Sequence, residues 1–146
     1  MPSPNSAGTA LFAYGSLIFP EVWMHVVGRQ RPSAEASLAG HLAFTVRGYS
    51  FPGMVPTSIA DSTPGRIYFN LEAEDWRQLD AFEDTFYQRI GVAVITTDGE
   101  RHIANAYTVM PEHSGFLSDT VWTAEWFAEN ALGDFLDRIC GFDPTG

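Results

Sequence analysis

The period of apolar positions changes several times along the chain, and each change marks a new element. Leu11 to Tyr14 is an unbroken apolar run of strand length. Pro20 and Glu21 suit a first helical turn, and Gly28 is a natural stop for that helix. Residues 36 to 47 read as extended, with Gly40 marking a bend or bulge. The turn-forming stretch GYSFPGMVPTSIADSTPG, residues 48 to 65, predicts a long ordered loop of the kind that often carries a site. Arg66 to Leu71 is a β-branched and aromatic strand. It precedes EAEDWRQLDAF, in which Trp76, Leu79 and Phe82 recur at helical spacing.

Two further apolar runs, QRIGVAVITT and ERHIANAYTV, flank Asp98-Gly99, a dipeptide favoured in two-residue hairpin turns because both positions tolerate positive φ. Near the end, Ser118 or Thr120 is expected to cap a helix. Its apolar stripe is Trp122, Trp126, Leu132, Phe135, Leu136 and Ile139, with Gly133 a candidate break. Five or so strands with short helices between and after them predict an α+β domain whose sheet curls into a small barrel. Neither a repeat nor an internal linker interrupts it. Residues 1–9 read as a disordered lead-in and 10–146 as one domain.

Composition narrows the function. The 146 residues are 45% hydrophobic and 14% aromatic, enough for one well-filled core. Eighteen acidic against eight basic residues give a net charge of -10, and lysine is absent. A Schiff-base lysine and a Walker-type phosphate-binding lysine are thereby excluded, and the acidic balance opposes nucleic-acid and anionic-membrane binding. The single cysteine, Cys140, permits no intrachain disulfide. With no signal-like start and no apolar stretch of membrane-spanning length, a cytoplasmic setting is expected.

Common catalytic constellations are absent. His25, His41, His102 and His113 show no metal-ligand spacing, and Cys-x-x-Cys, His-Glu-x-x-His and Gly-x-Ser-x-Gly do not occur. No metal and no cofactor are expected. Cys140 reads as a buried or incidental thiol, and Ser16 as a turn-stabilising hydroxyl. Glu83 differs: it falls where its helix should end, among Phe82, Phe86 and Tyr87, with Arg89 two residues past the tyrosine. The negative end of the helix dipole and the apolar neighbours both disfavour its charged form and would raise its pKa. That suits a general acid/base, while a solvated glutamate on a frayed helix end is the plainer alternative.

Four stretches together carry a resemblance: Tyr14-Gly15-Ser16-Leu17 after the first strand, Phe51-Pro52-Gly53-Met54-Val55-Pro56, Gly65-Arg66-Ile67-Tyr68, and Leu79-Asp80-x-Phe82-Glu83-x-x-x-Tyr87-x-Arg89. In order and spacing over roughly residues 11 to 110 they resemble the γ-glutamylcyclotransferase-like family, most closely its short avirulence-induced-gene-like branch. The resemblance implies a small mixed β-barrel with short peripheral helices, and a pocket lined by Tyr14, Gly15, Ser16 and Leu17 with Glu83 as its one catalytic residue. It also implies a small-molecule γ-glutamyl substrate, cyclised to 5-oxoproline with release of an amine or amino acid. Successive amides of Gly15, Ser16 and Leu17 would grip an anion in a chain without lysine. Tyr87 and Arg89 are supporting residues. The tryptophan-bearing region after residue 110 lies outside the motifs and would either shape the leaving-group pocket or cover the barrel. Neither leaving group nor oligomeric state is read from the sequence. The alternatives are a binding barrel without turnover and a hydrolase in which Glu83 activates water.

Overall fold

In the computed structural model, residues 9–83 and 86–141 are described, with side chains as far as Arg138. Five strands close a barrel in the order β1-β5-β2-β6-β7: β1 (Leu11–Ala13), β2 (Ser33–Ala39), β5 (Ser62–Tyr68), β6 (Tyr87–Thr96) and β7 (Arg101–Val109). Neighbours are antiparallel except at the seam. There β1 runs parallel to β7 through Leu11 and Asn105, with the Asn105 N–H donating to the Ala10 carbonyl at 2.9 Å. A separate antiparallel sheet, β4-β3-β8, combines β4 (Pro52–Pro56), β3 (His41–Val46) and β8 (Leu117–Val121).

Side-chain alternation along the barrel strands explains two adjoining cores. Phe12, Ile67, Val94, Ala104 and Ala106 cluster with Met54 as one buried group. Their neighbours Leu11, Ala13, Tyr68 and Tyr107 join a second, made with helices α1 (Pro20–Val27), α2 (Ala73–Glu83) and α4 (Leu132–Gly141). Trp23 of α1 stacks on Tyr68 at 3.7 Å between ring centres, fixing the first helix against the barrel. A third, smaller group joins Trp122 to Phe127 and Ala131 around helix α3 (Ala124–Asn130).

Several expectations are corrected. Residues 48–65 are not one loop, because they contain all of β4 and the start of β5. Prolines 52, 56 and 64 conceal these strands, being residues that central strands reject. Glycine is required inside them by close packing: a Cβ on Gly53 would lie 2.3 Å from Val109 Cγ2, and one on Gly65 2.3 Å from the Ala13 carbonyl oxygen. The single extended segment 36–47 is two strands in different sheets, turned at Gly40 by a φ of 77°. The hairpin at Asp98-Gly99 forms, but with a positive φ at Gly99 alone and a Thr96 N–H to Glu100 carbonyl bond of 2.9 Å. It is therefore a three-residue loop.

At the C-terminal side, Ser118 and Thr120 sit in strand β8, and the cap is Thr123, whose side chain accepts from the Trp126 N–H. The helix breaks at Ala131, not at Gly133, and Trp126 is exposed instead of joining the apolar stripe. The expected lead-in falls, for residues 1–8, outside the described residues, as do the side chains of Ile139 and Cys140. Thr9, by contrast, is tied down by its carbonyl, which accepts from the Leu71 N–H at 2.9 Å.

Candidate active site

The apolar strand β1 delivers the chain to Tyr14 at one end of the barrel, and a short 3-10 turn, Ser16–Ile18, follows at once. Its closing bonds run from Ile18 N–H to the Gly15 carbonyl and from Phe19 N–H to the Ser16 carbonyl, both 3.1 Å. The amides of Gly15, Ser16 and Leu17 precede the first bonded position, as at any helix start. Tyr68 fixes the turn from below, its hydroxyl donating to the Leu17 carbonyl at 2.7 Å. Gly15 is needed for space, since a Cβ there would sit 3.0 Å from Pro52 Cγ.

Opposite the turn, α2 ends at Glu83. Tyr14, Gly15, Ser16, Leu17, Glu83 and Tyr87 line one cavity of about 640 Å3, although nearly seventy positions separate the turn from the glutamate. Pro52, Phe86, Tyr107, His113, Phe116 and Phe135 complete much of its wall. Glu83 is the only carboxylate among the described lining residues. Part of its surface opens to the cavity while protein packs closely around the rest, and this burial, followed by the nearby Asp80 carboxylate, raises its pKa to about 8. Burial thus acts as the sequence indicates. The second cause, a like charge three residues back on the same helix, was not foreseen.

The phenols around Glu83 are committed to the frame. Tyr14 Oη donates to the Tyr107 carbonyl and accepts from the Met54 N–H at 3.2 Å, so its hydroxyl braces the barrel. Tyr87 Oη donates to the Pro52 carbonyl at 2.6 Å, and Tyr107 Oη to Asp80 Oδ1 at 2.6 Å. Burial holds all three hydroxyls protonated, well above the ordinary tyrosine range. Arg89 does not line the cavity. Its guanidinium pairs with Asp80 at 3.3 Å and lies 4.5 Å above the Trp76 ring, which makes it a brace for Asp80.

Sequence reasoning missed Asp80, Tyr107, His113 and Phe116. Asp80 was legible in principle, standing at the i−3 position from Glu83 on one helix face. The others come from β7 and from the 3-10 turn Pro111–Phe116, beyond the motif-bearing region, and only the fold brings them to the cavity. Of the two roles left open for the chain after residue 110, His113, Phe116 and Phe135 support the first: they shape the pocket.

A closed α+β barrel, with a cavity lined by one carboxyl group of raised pKa and by the Gly-Ser turn, defines the class of fold. The chain belongs to the family described as gamma-glutamyl cyclotransferase, AIG2-like, whose model matches residues 11–127. AIG2-like protein D of Arabidopsis thaliana is 32% identical over 89 residues, covering 61% of this chain and 58% of that protein. AIG2-like protein C of the same plant is 33% identical over 94 residues, covering 64% and 54%. The chain thus spans a little over half the length of these relatives. In fold it is similar to an Arabidopsis thaliana protein solved in solution, with a TM-score of 0.68 at 22% identity, covering 93% of this chain and 94% of that one. It is also similar to a gamma-glutamyl cyclotransferase, with a TM-score of 0.60 at 16% identity, covering 93% and 88%.

Proposed function

We propose that the protein is a metal-independent γ-glutamyl cyclotransferase in which Glu83 is the general acid/base. The observation that carries this reading is the position and proton affinity of Glu83: it lines the same cavity as the Tyr14–Leu17 turn, and its pKa is raised to about 8. A carboxyl group with its pKa raised to about 8 is much closer in proton affinity to an α-amine than an ordinary glutamate is, which makes proton transfer between the substrate's α-nitrogen and Glu83 less uphill.

In the reaction, the α-amine in its free-base form attacks the substrate's own γ-carbonyl carbon, and Glu83 takes the proton that the nitrogen sheds as it bonds. The new C–N bond closes the five-membered ring. The bond to the leaving nitrogen breaks, and Glu83 returns the proton to that nitrogen. Tethering nucleophile to electrophile supplies the orientation that a protein nucleophile would otherwise provide. Backbone amides of Gly15, Ser16 and Leu17 would receive the substrate's carboxylate or the developing oxyanion, while Tyr87 and Arg89 act through the frame. The family membership supports the same reaction class.

Mass-spectrometric analysis of products from a panel of γ-glutamyl amides tests the reading. Formation of 5-oxoproline is the expected result. Free glutamate would instead identify a hydrolase in which Glu83 activates water. Saturable binding with neither product would identify a binding barrel.

A further inference from the structure

The cavity is larger and more aromatic than a γ-glutamyl group requires. Its volume of about 640 Å3 lies within the roughly 300–1,000 Å3 typical of sites for drug-sized ligands. Beyond Glu83 the wall is a packed set of rings. Phe86 stacks on His113 at 5.2 Å with planes 7° apart, and Phe116 lies 6.2 Å from Phe86 and 6.0 Å from His113. Tyr49, also lining the cavity, is 60% exposed and Phe116 57% exposed. Large rings left this open at a pocket mouth are surfaces that an apolar ligand would cover.

Charge points the same way. No arginine is among the described residues that line the cavity. Arg89, six residues after Glu83, is held by Asp80 and Trp76, Arg77, six residues before it, pairs with Glu74, and Arg47 lines a neighbouring groove. An amino-acid leaving group would bring a second carboxylate beside Glu83, with no guanidinium to receive it and a chain of net charge -10 around it.

From this wall and this missing cation we infer that the leaving group is an arylalkyl amine lacking a carboxylate, seated on Phe86, His113 and Phe116. The inference rests on the cyclotransferase reading and adds the class of amine. On departure the amine becomes an ammonium ion, which aromatic faces also accommodate.

Three substrates separate the possibilities: the γ-glutamyl derivatives of phenethylamine, ethylamine and phenylalanine. Rates of 5-oxoproline release should give the phenethylamine compound a kcat/KM at least about tenfold above each of the others. Phe116→Ala, which removes a largely exposed ring, should shrink the phenethylamine-to-ethylamine ratio by about two- to tenfold, the size expected of one aromatic contact. Equal or faster turnover of the phenylalanine compound overturns the inference while leaving cyclotransfer intact, as does an unchanged ratio in Phe116→Ala. If none of the three yields 5-oxoproline, the cyclotransferase reading fails. Calorimetry with the free amines then decides the inference alone: phenethylamine should bind saturably and phenylalanine should not, and equal binding or a preference for phenylalanine overturns it.

Discussion

The two ends of helix α2 carry two buried carboxylates in opposite circumstances. Asp75, in the first turn, is fully buried. Arg31 approaches Oδ2 at 2.8 and 2.9 Å, the Glu72 N–H donates to the same oxygen at 2.9 Å, and Arg29 approaches Oδ1 at 3.1 Å. Its charge also sits at the favourable end of the helix dipole. Glu83, at the last position, has no ion pair among the described residues, has Asp80 nearby and opens into a cavity. Asp75 is neutralised where it stands and joins the helix to the segment before β2. Glu83 is left costly to ionise, a condition that serves proton transfer and contributes nothing to holding the fold.

The largest expected effect separates the two functionally. Glu83→Gln keeps the side chain's size but cannot exchange a proton, so the rate of 5-oxoproline release should fall by about 10² to 10⁴ with little change in KM. Asp75→Asn should do the reverse. Leaving Arg29 and Arg31 without their buried counter-charge should cost about 3–5 kcal/mol in chemical denaturation, with turnover per folded molecule retained. Full activity in the first variant, or full stability in the second, breaks the contrast.

A smaller effect is the pH dependence of stability. Below about 4.5 both folded and unfolded chains hold the Glu83 proton. As pH rises towards 8 the unfolded chain releases it while the folded chain retains it, so stability falls through this window. Glutamine at position 83 lacks the term. The stability advantage of Glu83→Gln over the parent should therefore grow between about pH 4.5 and 8, by at most about 1.4 kcal/mol per pH unit, and level off above. A difference that is constant across that range would mean that Glu83 titrates as a solvated group.

Legibility in the sequence follows the strength of local pattern. Strands β1, β6 and β7 and helices α1 and α2 announce themselves because their apolar periods agree with their burial, and Glu83 is visible because a carboxylate ends an amphipathic helix among aromatics. Strand β4 is hidden by Pro52 and Pro56, tolerated because it lies at the edge of the small sheet. Strand β8, LSDTV, is too polar to read as a strand and is an edge as well. The ring wall is hidden for another reason: Tyr49, Phe86 and the turn that carries His113 and Phe116 lie far apart in the chain, so only tertiary packing assembles them. Asp80 and Arg89 sit inside a recognised motif. Yet their pairing, and Tyr107 as the third member, depends on how β6 and β7 approach the helix.

The most direct test of the central claim is a titration of the Glu83 side-chain carboxyl by carbon-13 NMR in glutamate-labelled protein, its resonance assigned by its loss in Glu83→Gln. The account predicts a midpoint near 8, moving downward in Asp80→Asn as the like charge is removed. A midpoint near the ordinary 4.5 would contradict it, since Glu83 would then be an ionised, solvated group at a helix end.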